Sequence, residues 1–374
     1  MLRKHPASAL RRCCPLGILG LALLASSCGH NRESAAAVPV TMDAVMKTIH
    51  DYGRGHNALL SPGINVMPDE TDNLYSAHIA TLLAQEDFAQ LEKIAQQDRV
   101  EKGRLLGGIW KIHSFYDGTG MPVSAAQPDF EDYTQQIARL QKWIAAYPDS
   151  ATARISLGYL YLNYASFARG TGFADSVSDA QWDLFHSRLA QAKTLLLEAA
   201  TLKDKDPFWY QAMLIVALHE GWSKAQAHEL FEQASAFEPG FYHYYRQYAL
   251  YLLPRWYGQS GDIQAFGEEI LKRVPEPDGS MLYFQITSTV ACYCEEDMHE
   301  LPHANYPILR QGYGNITRFY GVSNLNANRF AFMATSFGDQ QSAQEAFAAI
   351  DTMDSKIWYT EEVYNRYRAW AEAP

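Results

Sequence analysis

The chain has 374 residues, 48% of them hydrophobic, 20% charged and 13% aromatic, with a net charge of −11. That composition suits a globular body with a sizeable core and excludes a largely disordered chain. The acidic balance excludes the basic face that a nucleic-acid binder needs, and five cysteines are too few for a disulfide scaffold.

Arg3, Lys4, Arg11 and Arg12 give a basic start with no acidic residue before Cys28. Leu16 to Ala25 is an unbroken apolar run, too short to span about 30 Å of hydrocarbon but suited to a signal-peptide core. Leu24-Ala-Ser-Ser-Cys28 resembles the bacterial lipobox, although Ala25 stands where that motif usually has leucine. The resemblance implies cleavage after residue 27 and a lipid on Cys28. It places the chain in the bacterial cell envelope, at the outer membrane facing the periplasm. Cleavage would remove four basic side chains, so the mature chain is more acidic still.

Residues 28–72 read as a lipidated tether. A short helix is expected from Met42 to Tyr52, and Gly53, Gly55, Pro62, Gly63 and Pro68 keep residues 53–68 from forming another. Residues 73–128 read as a helical hairpin and a loop. Ile79, Leu82 and Leu83 mark one apolar face, and Phe88, Leu91, Ile94 and Ala95 the other. Within that region, residues 107–118 alternate weakly and are bounded by glycines, which predicts a short extended segment.

From residue 129 to 374 the chain repeats. Pro148, Pro207, Pro239 and Pro275 each close one helix-like segment and precede another, the last two intervals being 32 and 36 residues. Leu157, Gly158 and Tyr161 give a large-small-large first helix. Ala227, Phe231, Ala234 and Pro239 give a second helix and its terminator. Ala343, Phe347 and Ile350 repeat the spacing after Ala331. These intervals resemble the tetratricopeptide repeat, whose period is about 34 residues. The fold class expected is all-α, a tetratricopeptide-like α-solenoid with an irregular insertion over 166–190.

Three stretches go further: Ala168 to Val177, Tyr251 to Asp262, and Tyr320 to Asn328. In that order they resemble a bacterial domain-of-unknown-function family built on tetratricopeptide-like helices. That resemblance implies a fold and no activity.

Arg169 and Arg255 stand at helix exits. There a guanidinium can bond free carbonyls or an aspartate such as Asp175 or Asp262, or the two can share a pocket for a carboxylate or phosphate. Aromatic residues crowd positions 208–257. Most are expected in helix packing, while Tyr242, Tyr245 and Tyr248 with His243 are candidates to line a groove, as is Trp256. A protein or peptide is the partner expected in that groove, with Arg169, His243, Tyr245, Arg255 and Trp256 as contacts. The membrane is reached through the lipid alone, and no nucleic acid or cofactor is expected.

His299-Glu300-Leu301-Pro302-His303 matches the metalloprotease string H-E-x-x-H. That chemistry needs both imidazoles on one regular helical turn, and Pro302 breaks it. A zinc-dependent hydrolase using His299, Glu300 and His303 is therefore the alternative rather than the first expectation. A structural metal held by Cys292, Cys294, His299 and His303 has enough ligands, but the Cys-x-Cys gap is short. No residue is assigned a catalytic role.

Overall fold

The computed structural model describes residues 40–54, 71–122, 128–170, 176–292 and 304–374. Residues from Thr41 to Pro374 cluster as one unit, and Met1–Val40 as another. The N-terminal apolar run and Cys28 lie outside the described residues, as do Cys294 and the whole His299–His303 string.

Among the described residues the fold is all-helical. The order is α1 (Met42–Tyr52), α2 (Asp72–Ala84), α3 (Phe88–Glu101), α4 (Lys111–Gly120), α5 (Phe130–Ala146), α6 (Ala151–Arg169), α7 (Asp179–Thr201), α8 (Pro207–Glu220) and α9 (Lys224–Phe237). Then come α10 (Tyr242–Tyr251), α11 (Asp262–Arg273), α12 (Asp278–Thr287), α13 (Tyr306–Tyr320), α14 (Asn324–Ser336), α15 (Gln340–Ala348), α16 (Ser355–Trp358) and α17 (Glu361–Glu372). None of these helices is long and apolar enough to cross a membrane.

The helices start where short polar side chains can satisfy their free N–H groups. Thr41, Thr71, Ser150, Asp206, Ser323 and Thr360 each accept a bond from the first turn of the helix they open. Ser178 with Gln181, and Ser223 with Gln226, form reciprocal capping boxes. Neighbours in sequence then pack as pairs, α6 on α7, α8 on α9, α12 on α13 and α14 on α15.

Two expectations are corrected. The extended segment near 107–118 is instead a tight turn at Leu106–Gly108 followed by α4. Ile112, Phe115 and Tyr116 of α4 are fully buried, so this helix is enclosed on several sides and lacks the one-sided stripe that would have marked it. The tether expectation also fails for residues 42–52. Helix α1 packs on α7 and α9, with Tyr52 stacked 4.0 Å from Trp209. Much of the expected insertion 166–190 is helical, being the end of α6 and the start of α7, while residues 171–175 lie outside the described residues.

Residues 102–120 form a segment packed among helices from both halves of the chain. Helix α4 packs on α2, α6 and α8. Trp110 Nε1 donates to Gly240 O at 3.0 Å, and Lys102 Nζ pairs with Glu238 at 2.7 Å. Gly107 adopts φ +74°, and a Cβ there would lie 2.3 Å from Ser323 Oγ. Its carbonyl accepts from Asn326 Nδ2 of α14 at 3.0 Å. Only glycine tolerates both that backbone angle and that closeness.

A second tie is Asp206, which is 1% exposed. Its carboxylate accepts from Arg99 Nη1 at 3.3 Å, Tyr116 OH at 2.8 Å and Phe208 N–H at 2.9 Å. Its backbone N–H donates to Tyr52 OH at 2.9 Å. One residue thus joins α1, α3, α4 and the start of α8.

Candidate functional site

Between the central segment and helices α8, α10 and α14 lies a cleft of about 190 Å³. A cavity of about 150 Å³ can hold a molecule the size of benzene, so the volume suits a small organic ligand. The cleft is lined by polar groups that the fold places from distant parts of the chain: Asp72, His113, Gln211, His243, Arg246 and Arg329 among them.

His243 is set by three neighbours. The Trp110 N–H donates to its Nε2 at 3.4 Å, which leaves the ring proton on Nδ1. His113 stacks on it at 3.6 Å and Tyr242 at 4.0 Å. Burial first, and then the charges of His113, Arg246, Arg104 and Arg329, hold its imidazole well below its usual pKa. His243 is therefore a neutral hydrogen-bonding group in a positive field.

His113 is oriented from both sides. Its Nδ1 is 3.1 Å from Gln211 Oε1, and its Nε2 is 3.3 Å from Asp117 Oδ2, one helical turn on. Asp117 accepts from Tyr159 OH at 3.2 Å, and burial raises its carboxyl above the usual range. Asp72, at the start of α2, accepts from Ser114 Oγ at 2.6 Å.

Arginines supply the charge. Arg246 of α10 donates through Nη1 to Gln285 O at 2.8 Å and Ser288 Oγ at 3.0 Å. Arg329 of α14 is 8% exposed. It has no ion-pair or hydrogen-bond partner among the described residues, and its Nε is buried and unbonded. Arg104 lies behind Tyr242, 3.2 Å over the Trp110 ring, with its pKa lowered by burial to about 10. Burial likewise raises the Tyr242 phenol, against the pull of Arg329 and Arg246.

No protein-family model, no curated protein and no solved structure matches the chain. What the site does must be read from its own chemistry: a pair of arginines, a neutral histidine donor, and an aspartate and amide across from them.

The residues singled out from sequence are distributed unevenly. His243 lies in the cleft. Tyr245 does not; it is 1% exposed and donates to Pro239 O at 2.9 Å, which makes it a core residue. Arg169 donates to Gly170 O at 3.3 Å and sits 5.5 Å over Trp182. Its charge, after burial, helps push His219 down to about 4, and Trp256 lies 6.4 Å from that same His219. Arg169 and Trp256 are thus both related to His219 of α8, and neither lines the cleft. Arg255 is exposed in the turn after α10, while Asp262 pairs with Lys224 at 2.6 Å. Asp175 lies outside the described residues, and so does the side chain of Cys292. Among the described residues no three His, Cys, Asp or Glu side chains converge as a metal site.

Sequence reading missed Arg246, Arg329, His113, Gln211 and Asp72. One signal was available: Arg329 is the lone charge in Asn324-Leu-Asn-Ala-Asn-Arg-Phe-Ala-Phe-Met333, a helix otherwise neutral and mostly buried. A charge in such a helix is rarely buried unless something pairs with it.

Proposed function

We propose that the chain is a lipid-anchored, periplasm-facing helical-repeat protein, tetratricopeptide-like in its pairing, whose function is binding rather than catalysis. Its ligand is a small molecule held in the cleft, not a peptide laid along an open groove. The observation that carries this reading is Trp110. Its N–H donates to His243 of α10 and its Nε1 to Gly240 O just before that helix, so the chain's own central segment already takes up the start of α10. The cleft that remains, about 190 Å³, is smaller than a drug-sized pocket but has room for a molecule of about benzene's size, with convergent polar groups on its wall.

Thermal-shift screening of the mature protein with small polar molecules tests the reading. A ligand at one hundred times its Kd adds about 2.7 kcal/mol, enough to raise the melting temperature by several degrees. Leu325→Trp, which places an indole in the cleft, should abolish that rise. Stabilisation by extended peptides and by no small molecule would overturn the reading.

The anchor is tested separately. Cys28→Ala should move the protein from the detergent phase to the aqueous phase and remove a diacylglyceryl mass from its N-terminus. Unchanged partitioning, with no lipid mass on the parent chain, would refute the lipid.

A further inference from the structure

We infer that the cleft's ligand carries a carboxylate, and that Arg329 is the residue that binds it. This rests on the reading of the cleft as a small-molecule site.

Arg329 is more than nine-tenths buried, yet no ion pair or hydrogen bond from its guanidinium is made to any described residue, and its Nε is unbonded. An uncompensated buried cation is costly, and native proteins pair such groups or bind an anion beside them. The planar fork of Arg329 matches the two oxygens of a carboxylate.

Three neighbours support the same ligand. Arg246 is anchored through Nη1 by Gln285 O and Ser288 Oγ, so its positive charge is held at the cleft wall. His243 is neutral and carries its proton on Nδ1, which makes it a donor without a charge of its own. Asp72 and Gln211 also line the cleft and offer acceptors for a hydroxyl or ammonium on the same molecule. Among the described residues of the lining, Arg329 is the one cation whose need is unmet, and a single carboxylate is enough to meet it. With about 190 Å³ available, the ligand is a small organic acid.

The experiment pairs monocarboxylates from acetate to benzoate, together with small amino and hydroxy acids, against their neutral amides. Inorganic phosphate is included, and binding is read by calorimetry and melting temperature at low salt. At least one acid should bind and its amide should not. Arg329→Met should weaken that acid at least about thirty-fold, and Arg329→Lys should restore only part of the loss. Because methionine removes an unpaired buried charge, the ligand-free Arg329→Met protein should melt at or above the parent temperature, which shows that it is folded. Three results would overturn the inference while leaving the cleft as a binding site: amides binding as well as acids, phosphate binding more tightly than every acid, or Arg329→Met binding the acid unchanged. If neither acids nor amides bind and Leu325→Trp alters nothing, the small-molecule reading falls as well.

Discussion

Asp206→Ala should lower the free energy of unfolding by about 3–5 kcal/mol, the range for breaking a buried ion pair on one side. The reason is the charge that the substitution leaves behind. The side chain of Arg99 is 8% exposed and that of Asp206 1%, so Arg99 would keep a nearly dry charge with only Thr152 Oγ1 at 2.7 Å and Gln96 Oε1 at 3.0 Å as acceptors. Tyr116 OH would lose its acceptor, and α8 would lose the cap on Phe208 N–H. Urea unfolding followed by tryptophan fluorescence measures the loss, since Trp209 stacks beside this hub through Tyr52. Asp206→Asn keeps a capping oxygen and should cost less. The double variant Asp206→Asn with Arg99→Met should recover part of the single-site loss, because the stranded charge is gone. A cost under about 1 kcal/mol for Asp206→Ala would show that the hub contributes little.

Gly312→Ala should be nearly as damaging, at about 3 kcal/mol, the upper part of the range for overpacking. Gly312 lies in α13 where that helix crosses α12. A Cβ there would sit 2.0 Å from Ser280 O and 3.0 Å from Phe284 Cβ. The first obstacle is backbone, so no rotamer change relieves it and the helices must part. Gly314, two residues on, is exposed and a Cβ there meets nothing within 4 Å. Gly314→Ala should therefore stabilise the protein by about 0.5–1 kcal/mol through helix propensity alone. Opposite shifts in melting temperature from two alanines on one helix are the result expected. Shifts of the same sign would mean that the α12–α13 crossing yields more easily than its geometry implies.

The features legible in the sequence were local ones. The bounds of α1, Met42 to Tyr52, come from a capping threonine and apolar residues at helical spacing. The hairpin of α2 and α3 is read from the apolar spacing of its two faces. Helix α4 was not legible, because Gly118 and Gly120 lie inside it and burial on several sides erased its period. The crowded aromatics divide much as composition suggests: Phe208, Trp209, Tyr210, Tyr244 and Tyr251 are core, and Tyr257 is exposed. The cleft was out of reach for a different reason. His243 drew attention as a histidine among tyrosines, but its partners come from α4, α8 and α14. Nothing in the spacing of Arg246 and Arg329 says that both face one space.

The contact between Gly107 and Asn326 spans 219 residues. In an ordinary helical array each repeat touches only its neighbours, so repeats can be added, lost or unfolded one at a time. Here a late helix, α14, grips an early segment directly. Such a chain should unfold in one cooperative step rather than fray from its ends. It should also fold slowly, because its longest loop must close before the centre is complete. Inserting a further helix pair between α4 and α14 would therefore have to keep Asn326 within reach of Gly107.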